Sequence, residues 1–161
     1  MSELVVPSLL WFCAIGSGIM GGVYFAFSFF ITASFARIEQ SEGIAAMQSI
    51  NRVIVRSLFF PLFFGTTLAS AALAVLALMQ WEAPGSAIMF AGGLIYVVGM
   101  FVCTAAGNVP LNNALDAVDP QSDAAVPVWE NYLEKWTRLN HVRTAACVIA
   151  SILFVRVLMV S

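Results

Sequence analysis

The sequence predicts an all-α protein: a four-helix transmembrane bundle, up-down-up-down, with interfacial helices in its two longer connections. Three observations carry this reading. Apolar residues make up 61% of the chain and charged residues only 10%, against about 25% charge in a soluble domain. Four long apolar runs alternate with polar stretches, and a spanning helix needs about 20 such residues. Of the seven basic residues, six (Arg37, Arg52, Arg56, Lys135, Arg138 and Arg143) flank the two longer polar stretches, leaving Arg156 alone on the other side. Basic loops stay cytoplasmic, so both longer connections are expected in the cytoplasm with both termini outside, in a bacterial inner (plasma) membrane.

The 161 residues suit one integral membrane domain, 1–161, with spans expected at about 7–36, 57–81, 86–107 and 143–160. A net charge of −2 offers nothing to nucleic acid. The start Met1-Ser2-Glu3 carries no basic residue, which argues against a cleaved signal peptide. Cys13, Cys103 and Cys147 all fall in apolar runs and read as small packing residues, not a disulfide framework. With one histidine and no CxxC, no zinc or di-metal site can be built.

Span 1 carries no charge from Leu4 to Ala36. Pro7 suits a helix start, and Gly18 and Gly22 form a small-xxx-small pair that would admit a neighbouring helix. The first polar connection, Arg37 to Arg56, places Ile44, Met47 and Ile54 at helical spacing. An amphipathic helix at the interface suffices to explain it. The alternative turns Gln48 and Asn51 inward, toward the asparagines of the second connection. Span 2 has Pro61 near its start, where a bend is expected. A short Glu82-Ala-Pro-Gly turn leads to span 3, where Gly99, Cys103 and Gly107 repeat every four residues. In the last span Arg156 can snorkel to the headgroups.

The second connection holds the unusual chemistry. Asn108-Val109-Pro110 should end or kink span 3, because the residue before proline avoids helical geometry. Asn112 and Asn113 would then fall in the first turn of a new helix, as caps or as ligand contacts. Residues from Trp129 onward read as a helix running into span 4. At 3.6 residues per turn, Trp129, Tyr132, Leu133, Trp136, Asn140, Arg143 and Cys147 share one stripe. Tryptophans there suit an aromatic belt, but an intramembrane arginine is a site or a buried pair. His141 lies off the stripe at its margin. As the chain's one imidazole, it reads either as a general base or as a structural hydrogen-bonding group.

GNVPLNN (Gly107 to Asn113) and W-x2-Y-x3-W-x3-NHVRT (Trp129 to Thr144), with Met47-Gln48-x2-Asn51 and Pro61, resemble the anthrone oxygenase-like family of small four-helix membrane proteins. The resemblance covers nearly the whole chain. It implies a cofactor-free oxidation by O2 of a polycyclic anthrone to an anthraquinone. Such chemistry needs a base, donors for the enolate oxygen and a dry aromatic pocket. On that resemblance His141, Arg143 and Asn140 are the catalytic candidates. Asn108, Asn112, Asn113, Trp129, Trp136, Gln48 and Asn51 are the candidates for contacting a small aromatic substrate.

Two other readings compete: a non-enzymatic binding or accessory protein of the membrane, and a haem or quinone redox protein using His141. A transporter lacks an internal repeat here. The bilayer is the one partner composition demands, and a homo-oligomer stays open.

Overall fold

A computed structural model describes residues 2–160. Met1 and Ser161 lie outside the described residues, as do the side chains of Ser2 and Glu3, so the reading of a start without a basic residue rests on residues largely beyond them. Among the described residues every element is helical. Four helices are long and apolar enough to cross a membrane: α1 (Leu4–Phe35), α3 (Phe59–Met79), α4 (Ser86–Asp116) and α5 (Ala125–Leu158), with α2 (Gln40–Ile54) between the first two. The bundle closes as a ring in which α1 packs on α3 and α5, and α4 packs on the same two. Short connections force neighbours in sequence to run antiparallel. The C-terminal ends of α1 and α4 therefore meet the N-terminal ends of α3 and α5, and α2 crosses that end.

Two apolar clusters result. The larger runs through the bundle and includes Leu10, Met20, Leu73, Tyr96, Met100 and Phe154. The smaller is a cap at the α2 end, built from Ile44, Met47, Leu115, Ala125, Trp129, Tyr132 and Trp136. Large apolar side chains such as Trp11, Phe29, Leu68, Val148 and Ile152 point outward. In water such a surface would be an aggregation liability, whereas in a bilayer it is the solvated face.

Close packing depends on glycines, though not all those expected. Gly99 and Gly107 meet Ala146 and Leu139 of α5, as the repeat in span 3 predicts. In α1 the tight positions are Gly16 and Gly21, not Gly18 and Gly22; a Cβ on Gly22 would meet nothing within 4 Å. Pro61 sits in the first turn of α3, where its missing N–H has no helical partner to lose. Pro110 does not end the third span. The helix continues to Asp116, and the backbone absorbs the proline by winding wider, as a π-turn, over Thr104–Asn108 just before it.

Further π-turns occur at Phe27–Ile31, Val97–Val102 and Tyr132–Trp136. Each adds a residue to its turn and re-aims the side chains that follow, and such turns collect at functional sites. In α1 the Thr32 hydroxyl donates to Phe27 O, five residues back, at 2.8 Å, bonding across the widened turn.

Gly93→Ala would place a Cβ 2.5 Å from the Ser70 carbonyl oxygen and 2.9 Å from Ala74 Cβ. It should lower the thermal midpoint in detergent, at a cost of about 1–3 kcal/mol. Gly22→Ala should hold or raise that midpoint, since helix propensity then acts alone.

Candidate functional site

The site is built from the bottom of α5 upward. Trp129, Tyr132 and Trp136 stack in a column, with centroids 5.8 and 5.5 Å apart and planes within 12° and 18°. The π-turn at Tyr132–Trp136 brings these rings into line. Asn112 on α4 fixes the column, its Oδ1 accepting from Tyr132 Oη at 2.9 Å and from Trp136 Nε1 at 2.8 Å. With Oδ1 doubly engaged, Nδ2 is the atom of Asn112 left to donate elsewhere.

Arg143 lies one further stretch along the stripe, only 4% exposed. Its guanidinium carbon sits 4.3 Å from the Tyr24 ring centroid and 5.0 Å from that of Trp136, contacts worth about 0.5–2 kcal/mol each. Nη2 donates to Asn140 Oδ1 and Nη1 reaches Thr104 Oγ1 at 3.4 Å. Asn140 is itself fully buried and donates to Tyr24 O and Ser28 Oγ, both at 2.7 Å. Ser28 in turn meets Thr144 Oγ1 at 3.0 Å. The chain Thr144–Ser28–Asn140–Arg143 thus locks α1 to α5 and holds the guanidinium in place.

No carboxylate balances this charge. The ion pairs among the described residues are Arg52–Asp116 and Arg138–Glu134, both exposed, and exposed pairs contribute little. Arg143 Nε has no hydrogen-bond partner. A buried cation supported only by neutral groups carries an uncompensated desolvation penalty.

Beside it is a cavity of about 280 Å³ to which all five helices contribute. Its walls are aromatic: Tyr24 and Phe27 from α1, Phe59, Phe60, Phe63 and Phe64 from α3, Phe101 from α4 and Trp136 from α5. Its polar groups are Asn51, Thr104, Asn112 and Arg143. Asn51 Nδ2 and Arg143 Nε are each buried without a hydrogen-bond partner, on two residues that line one space. Each π-turn contributes a residue to the lining: Phe27, Phe101, Thr104 and Trp136.

The sequence candidates divide. Arg143, Asn112, Trp136 and Asn51 line the cavity. Asn140 stands behind Arg143 and positions it. Asn108 is fully buried and donates to Trp136 O at 3.3 Å, a tie between α4 and α5. Gln48 does the same for the cap, donating to Leu115 O at 2.8 Å and Val118 O at 3.0 Å. The first connection is therefore not a helix lying free at the interface, because Gln48 and Asn51 both turn inward. Trp129 belongs to the cap cluster, and Asn113 is exposed; neither lines the cavity. His141 is exposed beside Phe29, ring centroids 5.5 Å apart, and is not part of the cavity wall. Tyr24, Thr104 and the phenylalanines of α3 went unrecognised. The run Phe59-Phe60-Pro61-Leu62-Phe63-Phe64 was their visible signal, two phenylalanine pairs at helical spacing.

The fold and the site define a four-helix membrane protein with an aromatic pocket and a charged floor. Residues 57–153, more than half of the chain, match the family model described as anthrone oxygenase, and the chain belongs to that family. No curated protein and no solved structure matches it.

The two ends of the Asn140–Arg143 contact should respond differently to truncation. Asn140→Leu leaves Arg143 Nη2 without its partner, while Ser28 Oγ keeps Thr144, and should cost about 1–3 kcal/mol. Arg143→Met removes the uncompensated charge with similar bulk and should leave the thermal midpoint unchanged or raised. Thermal unfolding of both variants in detergent checks the contrast.

Proposed function

We propose that this chain is a cofactor-independent membrane oxygenase of anthrone-like fused-ring substrates, with Arg143 receiving the negative oxygen of the substrate. The observation that carries the reading is a buried guanidinium without a carboxylate, bordering an aromatic cavity. Such a site is completed by a flat ligand that brings its own negative charge. A dry cavity of about 150 Å³ holds benzene, so one of about 280 Å³ accommodates a larger fused-ring system.

The chemistry proceeds from what the residues supply. An anthrone loses a proton from its ring CH2, and the charge spreads onto the carbonyl oxygen. Arg143, with Asn51 Nδ2 and Asn112 Nδ2 as further donors, stabilises that enolate in a low-dielectric space. No carboxylate or imidazole is among the lining residues, so Arg143 is the group that favours the anion, and the proton leaves the site to bulk solvent. The carbanion gives one electron to O2, and the resulting radical pair forms a C–O bond. The peroxide takes up a proton. Loss of the remaining ring hydrogen with O–O cleavage then leaves a carbonyl and water. One oxygen atom enters the quinone and the other leaves as water, so the reaction needs no external reductant. The orientation inferred from the basic residues puts the α2 end, and so the site, at the cytoplasmic side of a bacterial inner membrane.

Purified protein in detergent should consume O2 and form quinone from an anthrone. Arg143→Met should lower the turnover by about 10²–10³-fold, the usual effect of removing an oxyanion donor. His141→Ala should change it by less than about twofold, as an exposed substitution away from the site. Binding of anthrone without O2 consumption would leave a ligand-binding accessory role in place of the enzyme.

A further inference from the structure

The rim and the floor of the cavity have opposite polarity. The lining residues that are also exposed are Val55, Phe60, Phe64, Ala105 and Val109, all of them apolar. The charge, Arg143, is at the buried side. A pocket filled from water carries its polar groups where water reaches it, and this one reverses that arrangement.

The position of the rim explains the reversal. Helix α3 has 21 residues and rises about 1.5 Å per residue, so it just fills a hydrocarbon core of about 30 Å. Phe60 and Phe64 occupy its first two turns and therefore stand at the edge of that core. Helix α4, at 31 residues, is longer than that core, and it contributes Ala105 and Val109 to the exposed rim.

We infer that the substrate is admitted sideways from the bilayer, between Phe60 and Phe64 on α3 and Ala105 and Val109 on α4. It enters neutral and becomes an anion only against Arg143. This rests on the reading that Arg143 receives a negative oxygen. It makes the rim a selectivity element: lipid-soluble weak acids pass, whereas permanent anions are held back however well they suit the floor.

Protein in lipid nanodiscs, mixed rapidly with 2-anthrol or with anthracene-2-sulfonate, tests this by energy transfer from tryptophan to the bound ring. The anthrol should associate about a hundredfold faster than the sulfonate, the scale of the barrier to a charge in the bilayer. Ala105→Phe, which narrows the opening, should slow anthrol association about tenfold, with Ala105→Leu intermediate, following the bulk added to the rim. Ala106→Phe, exposed on the same helix but not lining the cavity, should not slow it. Thermal midpoints confirm that the variants are folded. Faster association of the sulfonate, equal rates in all variants, or no binding of anthrol overturns lateral admission, even if anthrone is oxidised. Anthrol binding as expected without oxidation of anthrone overturns the oxygenase reading and leaves lateral admission standing.

Discussion

A guanidinium buried without a counter-ion is the constraint around which this protein is arranged. Arg143 is held by Asn140, by Thr104 and by the faces of Tyr24 and Trp136, none of which carries a negative charge. Each support is itself placed by something more distant. Asn140 is oriented through the carbonyl of Tyr24 and the hydroxyl of Ser28 on α1, and Trp136 through Asn112 on α4. The π-turns that aim Phe27, Thr104 and Trp136 interrupt helices that would otherwise run straight through the bundle. They also explain how the chain tolerates Pro110 in a span that continues past it. A protein selected for stability alone would replace the arginine with an apolar residue. The retained charge is better understood as half of an interaction whose other half arrives with the ligand.

The walls complement that charge. Eight aromatic rings border the cavity, and rings keep water out while offering flat faces to a flat ligand. Excluding water strengthens every electrostatic contact inside. The same feature that makes the empty site costly therefore makes it effective once occupied. The cap formed by α2 belongs to this arrangement. Gln48 binds the carbonyls at the end of α4, and Asn51 is brought to the cavity edge with its amide nitrogen unpaired.

Much of this was legible from the residues. The four apolar runs and the helical stripe from Trp129 to Cys147 follow from hydropathy and a 3.6-residue period, and Trp129, Tyr132, Trp136, Asn140, Arg143 and Cys147 are all buried. The family is also visible in the paired motifs around Asn112 and Arg143. What one-dimensional pattern cannot convey is which side of a residue faces space. Asn108, Asn112 and Asn113 look alike in sequence. One ties two helices together, one borders the cavity and one faces outward, because a single step along a helix turns a side chain by about 100°. His141 was conspicuous through its chemistry, yet its angular position put it on the outer surface. The phenylalanines of α3 were overlooked for the opposite reason: in a membrane helix an apolar side chain is unremarkable until a cavity lies beside it.

The central claim is that Arg143 holds a negative oxygen on the bound ligand. An anaerobic titration of the protein with anthrone at neutral pH, followed by the absorbance of the anthrone anion, tests it most directly. With O2 excluded, the account predicts an anion band that saturates with the wild-type protein and is lost in Arg143→Met. Anthrone bound only in its neutral form, or an anion band of equal strength in both proteins, would contradict it.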